Sequence, residues 1–493
     1  ANDQVLALKR LAGPLGLTVA TYTGQTTEVE RNRIARDIPH ILVTNPEMLN
    51  SSFLAWAKSR WAPLYPRLRW LVLDEMHAYR GAFGAHMAWL LFRLKRLALA
   101  RAGHLPQILA ATATVGDPAA HFKNLWGQEP SVIQGLSAGS GERRLILWEP
   151  AFVPIGGGFV EKRSALDEGG YLLASCLDAG FQTLVFVRSR AQAEIMVKQF
   201  EERRPRFQGQ VAVYRAGYLP AQRLILEEGL RSGRLRGLVS TSALEMGVDV
   251  GGLDVVLVCG FPGTAASFRQ QVGRAGRRGS PSAAFFIPTV DALDSHFARH
   301  PELLFQAPVE KPAFNIHAVE IASAHLAAAA VEMPLKKEEI PALFKKEGIL
   351  APGPDGFIFA GKGSPAHQIS LRSVESQSYQ ITEGRKILEE LEGTRVHREA
   401  FPGAVYLHMG AGYRVLKLDP KRHRVEVERE KEPIYTRAQG QFSVHLDGAP
   451  LNETAPSPPL GGLVQGLARV RVTDTVTAYK EFRSDSDDPL RTV

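Results

Sequence analysis

Short, unbroken apolar runs set apart by helical signals limit what this chain can fold into. Ile41-Leu42-Val43, Trp70 to Leu73 and Ile108 to Ala111 contain no charged residue. Runs of this length without alternation fit parallel strands buried on both faces, because crossover helices cover such a sheet above and below. Leu17 to Tyr22 is a further short β-rich run. Val5 to Leu11 has apolar residues at helical spacing, and residues 85–102 form a helix rich in Leu and Arg. Pro154-Ile155-Gly156-Gly157-Gly158 reads as a loop leading out of this βαβ set. A second set follows: Thr183 to Val187, Val211 to Tyr214, Gly237 to Ser240, Val255 to Cys259 and Ala283 to Ile287.

After residue 300 the pattern changes. Asn315 to Met333 predicts a helix with an alanine-rich face, and Lys337 to Lys346 a second helix. Ile349 to Phe359, with Pro352-Gly353-Pro354-Asp355-Gly356 as turn signals, reads as a hairpin. Helix, helix, hairpin suggests a winged-helix module. From Ile369 onward strands dominate, with turns at Gly410-Ala411-Gly412 and Asp419-Pro420-Lys421. Phe482 to Val493 reads as a loose polar end. The fold class is α/β: two parallel-sheet domains over 1–150 and 151–300, a winged-helix-like module over 301–365, and a β-rich accessory domain over 366–493. A length of 493 residues is ample for four domains. The net charge of +8 leans toward a polyanionic partner. The two cysteines, Cys176 and Cys259, make neither a disulfide framework nor zinc-ligand spacing. His296, His300, His397 and His408 likewise lack ligand spacing. With no signal peptide or membrane span, the expected location is cytoplasmic.

Two segments carry chemistry. Leu71-Val72-Leu73-Asp74-Glu75-Met76-His77 is an apolar strand ending in an acidic pair. A nucleotide-hydrolysing sheet holds Mg²⁺ and positions water at such a strand end. Gln270-Gln271-Val272-Gly273-Arg274-Ala275-Gly276-Arg277-Arg278 places Arg274 and Arg277 three apart, as on one helix face, with glycines that allow close approach. Each alone has a plainer account, a strand-end turn or a basic helix. In this order they resemble motifs II and VI of superfamily two helicases of the DExH type. Asp74 would then hold Mg²⁺ through water. Glu75 would orient or deprotonate the attacking water. His77 would couple that site to the neighbouring domain, and Gln270 would orient nucleotide or water. Arg274 and Arg277 would reach the γ-phosphate of ATP as arginine fingers.

Further segments follow in the order such helicases show. Thr44-Asn45-Pro46-Glu47 resembles motif Ib, where a strand-end turn offers donors to a phosphate backbone. Thr23-Gly24 is a weaker candidate of the same kind. Thr112-Ala113-Thr114 resembles motif III and Val187-Arg188-Ser189-Arg190 motif IV. Ser240-Thr241-Ser242 through Glu245-Met246-Gly247-Val248-Asp249 resembles motif V, with Thr241 on backbone phosphate and Gly247 and Asp249 near the nucleotide. No G-x-x-x-x-G-K-[ST] loop precedes Asp74, so the first α/β domain is read as incomplete at its amino end. Gly356 to Lys362 fits G-x-x-x-x-G-K, but Gly363 follows where Ser or Thr is needed. It also falls in the hairpin region, and is read as a β-turn with a solvated lysine.

The stretch Asp74-Glu75-Met76-His77-Ala78-Tyr79-Arg80-Gly81-Ala82-Phe83-Gly84-Ala85-His86 resembles the D-E-x-H-x-Y-R-G-x-F-G-x-H segment of the MrfA (YprA) family of bacterial helicases. That family is related to the fungal Hrq-type, RecQ-like helicases and includes the mycobacterial SftH type. Leu244 to Gly251, the Phe261-Pro262-Gly263 turn and Ile369 to Ser373 match as well. The resemblance implies two RecA-like domains, a winged helix, and an ATP- and Mg²⁺-dependent 3′-to-5′ DNA helicase acting in DNA repair. It implies single-stranded DNA, or duplex with a 3′ tail, as partner, a monomer, and a partner nuclease as a further expectation. The family's carboxy-terminal zinc module has four cysteines that this sequence does not contain, so a structural zinc would belong to a module outside this chain. Two other readings stay open: a Lhr-type or RNA helicase, since phosphate-contacting motifs only partly sense the 2′-OH, and a catalytically silent nucleic-acid-binding scaffold.

Overall fold

The computed structural model describes residues 2–113, 115–133, 135, 142–156, 159–245, 253–276, 281–306, 308–341, 348–371, 378–448, 452–454, 465–483 and 489–493. The chain forms two compact units, one from Ala1–Arg188 with Ser242–Ser376, the other from Ser189–Thr241 with Gln377–Val493.

In the first unit, β1 (Val19–Tyr22) pairs in parallel with β2 (Ile41–Thr44). β3 (Trp70–Leu73) pairs in parallel with β4 (Gln107–Ala110), register Leu73 to Ala110. Helix α1 (Gly81–Ala102) lies between β3 and β4 in sequence and ends on Gly103, whose left-handed φ of 72° lets its amide reach Leu99 O. α1 buries Leu90, Leu91, Leu94 and Leu97 in one core with Leu73, Phe53 and Trp61. The expectation that these strands are buried on both faces is corrected here: Trp70, Val72 and Leu109 are 56%, 62% and 51% exposed. Of β3 and β4, Leu71, Leu73, Ile108 and Ala110 face that core, so their pleat is covered on one side.

The other strands of this unit fit the expectation better. β5 (Arg143–Leu147), β6 (Thr183–Phe186), β7 (Val255–Cys259) and β8 (Ser282–Ile287) run in parallel in the order β5-β8-β7-β6. Every residue of β6 and β7 is buried. The loop expected at Pro154–Gly158 is instead part of an antiparallel hairpin, Phe152–Gly156 with Phe159–Lys162, and Gly157 and Gly158 lie outside the described residues. Pro154 is tolerated because a two-stranded ribbon leaves one edge of each strand open.

Helix α2 (Ala265–Val272) follows β7, and helix α3 (Val319–Glu332) packs on α1. The hairpin Leu350–Gly353 with Gly356–Phe359 joins the same core through Leu350, Phe357 and Phe359. Of the expected second helix, Lys337–Glu339 is one 3₁₀ turn and residues 342–347 lie outside the described set. The Gly356–Lys362 segment does sit in this hairpin, with Lys362 exposed.

A buried polar network joins α1 to α3. Arg93, fully buried, donates through Nε to Glu332 at 3.1 Å and through its guanidinium to Asn50 Oδ1 at 2.7 Å and His325 Nδ1 at 3.1 Å. An arginine only donates, so His325 Nδ1 accepts and its proton sits on Nε2, directed at His86 Nδ1 2.9 Å away. Arg96 closes the carboxyl end of α3, donating to Ala329 O, Met333 O and Pro334 O. Burial holds both imidazoles below the usual 6.5, and for His325 the charges of Arg93 and His86 add to it. The unfolded chain therefore takes up more protons than the folded one once pH falls below 6.5. The stabilisation is complete above that pH and lost on acidification, at up to about 1.4 kcal/mol per pH unit for each histidine. Melting temperature should be level from pH 8 to 7 and fall below 6.5. The His86→Asn, His325→Asn double variant should show a shallower acid slope, and an unchanged slope contradicts this account.

The second unit is built on a five-stranded sheet in the order Lys386–Glu392, Ser378–Glu383, Arg424–Arg429, Ala411–Asp419, Val405–His408. The parallel pair Val211–Tyr214 and Gly237–Ser240 and the Arg190–Arg203 helix belong to it too. Buried Arg215 bonds Glu389 at 2.6 Å, Glu389 meets His408 at 3.0 Å, and Glu194 accepts from Tyr218 at 2.6 Å and from Gly410 N at 2.9 Å. The loose end expected from Phe482 is corrected. Phe482 ends the Val470–Arg483 strand and stacks on Tyr435, and Pro489–Thr492 pairs back onto that strand. The sequence hid this strand because its residues are exposed, so no apolar alternation marks it.

Candidate active site

The acidic pair sits where β3 ends. Ala111 N donates to Leu73 O and Met76 N to Ala111 O, so β4 pins both sides of the turn. Glu75 takes a left-handed conformation, φ 51° and ψ 45°, a region a non-glycine residue enters at a cost of ~1–3 kcal/mol. The turn lifts its carboxylate, 38% exposed, clear of the strand. Asp74 Oδ1 accepts from Glu75 N at 3.0 Å, and Oδ2 accepts from Gln4 Nε2 at 2.5 Å. Tyr79 donates its hydroxyl to Asp74 O at 3.0 Å. Burial and the two carboxylates push that phenol up to about 12, so it remains a donor.

His77 is buried below this pair. Its Nδ1 stands 3.4 Å from Glu75 Oε2 and 3.3 Å from Thr112 Oγ1, and Ala113 N points at it from 3.4 Å. Burial lowers its pKa, partly offset by Glu75 and Asp74. With Nδ1 protonated a neutral ring donates to Glu75, and with Nδ1 bare it accepts from Thr112 Oγ1 or Ala113 N, so the ring stands between the acidic pair and the segment after β4. Thr114 lies outside the described residues.

The arginine segment departs from its expected geometry. α2 stops at Val272, and Arg274 lies in a turn rather than on a helix face. Gly276, φ 110°, turns the chain so that its amide donates to Leu253 O at 2.8 Å. Arg143 Nε holds Ala275 O from the other side at 3.0 Å. Gly276 thus supplies the turn, while Gly273 keeps a helical backbone, φ −60°, at a place where a Cβ would lie 2.9 Å from Arg269 O. Arg274 donates through Nε and Nη2 to Glu245 O at 3.1 and 2.5 Å. The Glu245 carboxylate, nearly buried, accepts from Ser267 at 2.5 Å and Gln271 at 2.6 Å. Burial raises its pKa against those bonds and the charges of Arg80 and Arg274. His77, Arg80, Glu245, Gln270, Glu310 and Lys311 line one cleft of about 530 Å³. The cleft thus brings His77 and Gln270 together. Arg277, Gly247 and Asp249 lie outside the described residues.

The nucleic-acid candidates occupy turn and cap positions. Thr44 is exposed and bonds Tyr22 O at 2.8 Å. Asn45 caps the short helix that Pro46 begins, accepting from Met48 N at 2.9 Å. Thr23 accepts from Gln25 N, and Gly24 O from Arg31. Arg188 pairs with Asp291 at 2.5 Å, and the Asp294 amide first, then Arg188, hold that carboxyl down to about 2. Ser189 caps the Arg190–Arg203 helix, and Thr241 O accepts from Ser240. Sequence reasoning missed Glu310 entirely, and missed Glu245 as the anchor of Arg274. Neither role has a local signal, because each partner is remote in sequence.

Two family models match the chain: DEAD/DEAH box helicase over residues 1–122 and helicase conserved C-terminal domain over 165–279. It is 33% identical to the uncharacterized ATP-dependent helicase YprA of Bacillus subtilis over 458 residues, 89% of this chain and 60% of that protein. It is 31% identical to the ATP-dependent helicase hrq1 of Schizosaccharomyces pombe, over 84% of this chain and 41% of that one. The crystal structure of the helicase MrfA bound to DNA and AMPPNP matches all of this chain and 68% of its own, with TM-score 0.86 and 30% identity. The chain belongs to the MrfA (YprA) family of DExH helicases. It carries the family's two RecA-like helicase domains in an α/β fold with β-rich sheets. It spans 60% or less of the length of the first two relatives.

The Asp74 site suits Mg²⁺ only together with a nucleotide. Among the described residues no group of three or more His, Cys, Asp or Glu stands ready to hold a metal. Mg²⁺ keeps several waters and takes one or two carboxylates plus substrate phosphates, and exposed Asp74 offers that arrangement. No helix among the described residues is long and apolar enough to cross a membrane.

Proposed function

We propose that this chain is the motor portion of an ATP-driven DNA helicase, moving 3′ to 5′ as a cytoplasmic monomer in DNA repair. Its segments would be RecA-like over 1–150 and 151–300, winged-helix-like over 301–365 and β-rich over 366–493. The observation that carries the reading is the Glu75 turn: a carboxylate held in a strained backbone at a strand end, touching a neutral His77 that also reaches Thr112. Bound Mg²⁺-ATP would supply the phosphoryl group and the metal's charge. Asp74 would hold the metal through water, and Glu75 would take the proton of the attacking water. Arg274 and Arg277 would neutralise charge as the phosphoryl group leaves, with Gln270 orienting nucleotide or water. Gly247 and Asp249 would stand near the nucleotide. The test is a DNA-stimulated ATPase assay on the full-length protein. Arg277→Ala should cost far more turnover than ATP affinity, and Lys362→Ala should leave both unchanged. An active Arg277→Ala beside a dead Lys362→Ala would put the nucleotide site in the wrong part of the chain.

Single-stranded DNA would be held through its phosphates by Thr23, Gly24, Thr44, Asn45, Pro46, Arg188, Ser189 and Thr241. Phosphate contacts release counterions and ignore the base. Affinity should fall steeply between 50 and 200 mM salt, by roughly a hundredfold or more, and vary little with sequence. Salt-independent binding, or a strong base preference, contradicts this mode.

A further inference from the structure

We infer that residues 308–316 are a strap that sets the arginine-bearing segment relative to the acidic loop, with Glu310 as its positioning residue. The inference rests on the ATPase reading above. Glu310 Oε1 accepts from Ala265 N at 2.7 Å and Oε2 from Ala266 N at 3.2 Å. Thr264 Oγ1 accepts from Ser267 N at 3.1 Å. The first three amides of α2 are thereby satisfied, two of them by one carboxylate remote in sequence. A negative charge there also meets the positive end of the helix dipole. Burial would raise the Glu310 pKa, but the amides and Arg269 outweigh it and keep the group ionised.

The same few residues reach the acidic side. Glu310 O accepts from Gly116 N at 3.3 Å, and Lys311 pairs with Asp117 at 3.0 Å, both on the turn that follows Thr112 and Ala113. Ala313 O accepts from Gly81 N at 2.7 Å, at the start of α1 and six residues after Glu75. The approach is too close for side chains. A Cβ on Gly116 would lie 2.3 Å from Val309 O, and one on Gly84 would lie 2.5 Å from Tyr79 O and 3.0 Å from Phe314 Cβ. Gly81 and Gly84 belong to the family signature that extends past His77, and this contact gives that extension a use. On the far flank Arg269 donates to Leu304 O and Phe305 O, at 3.1 and 2.6 Å. The helix that carries Gln270 and leads into Arg274 is therefore held on both sides, and the Glu310 side connects it to the acidic loop. A small change at Glu310 would therefore shift Gln270 and Arg274 while leaving the Asp74–Glu75 turn, pinned by Ala111, in place.

The experiment compares Glu310→Ala and Glu310→Gln with wild type, in the full-length protein. Expected for Glu310→Ala is a kcat for DNA-stimulated ATP hydrolysis lowered about tenfold, with KM for ATP within about twofold and an unchanged melting temperature. Glu310→Gln keeps one acceptor and should fall between the two. Amide hydrogen exchange of residues 264–276 should quicken in Glu310→Ala. That measurement needs no turnover, so it reads the strap even if the wild type proves inactive, which would instead sink the ATPase reading. Unchanged exchange overturns the proposal. So does a kcat within twofold of wild type, or a kcat loss that tracks KM and melting temperature with glutamine no better than alanine.

Discussion

Glu75→Gln in the full-length protein is expected to lower DNA-stimulated ATP turnover by about a hundredfold to ten-thousandfold, the usual worth of a positioned general base. The change is nearly isosteric. It leaves Asp74 with its bonds to the Glu75 amide and Gln4, so the metal-holding carboxylate keeps its place. It leaves the left-handed turn intact, since that turn is fixed by the pairing of Met76 N with Ala111 O. What disappears is a charged acceptor 3.4 Å from His77 and open to solvent. ATP and DNA affinities should therefore change little while turnover collapses. Wild-type-like turnover would remove Glu75 from the chemistry, and a large loss of ATP affinity would mean that it holds the nucleotide rather than activating water.

Arg93→Met should be the most destabilising single change in α1, costing about 3–5 kcal/mol in chemical denaturation. Arg93 is fully buried and Glu332 is 4% exposed. Methionine matches the stem but leaves the Glu332 carboxylate without its ion partner in a site water hardly reaches. It also removes a donor from Asn50 Oδ1 and from His325 Nδ1. Adding Glu332→Met should restore most of the loss, because an apolar pair of similar volume carries no desolvation cost. If the double variant is no more stable than Arg93→Met, the bonds to Asn50 and His325 outweigh the ion pair.

Local signals made the β3–Asp74–Glu75 strand end, helix α1 and the Leu350–Phe359 hairpin legible. An apolar run, a helical period and a Pro-Gly turn each declare themselves within a dozen residues. The acidic pair at the end of β3 was legible for the same reason, whereas the turn that carries Arg274 was not. Tertiary partners were not. Arg93 and Glu332 are 239 residues apart, and Glu310 meets Ala265 across 45. The end of α2 was misjudged because the turn at Gly276 is held by Leu253 and Arg143, partners remote in sequence. The exposed faces of β3 and the Pro489–Thr492 strand misled in opposite directions. One carries apolar residues that the pleat leaves uncovered, and the other pairs through its backbone with no apolar pattern to announce it.

Strand displacement tests the central claim most directly. The full-length protein is mixed with duplex DNA bearing either a 3′ or a 5′ single-stranded tail, with ATP or with AMPPNP. The account predicts displacement on the 3′-tailed duplex with ATP, none with AMPPNP, and little on the 5′-tailed duplex. DNA binding without ATP hydrolysis or displacement on either substrate would contradict it, and would make the chain a binding scaffold built on a helicase fold.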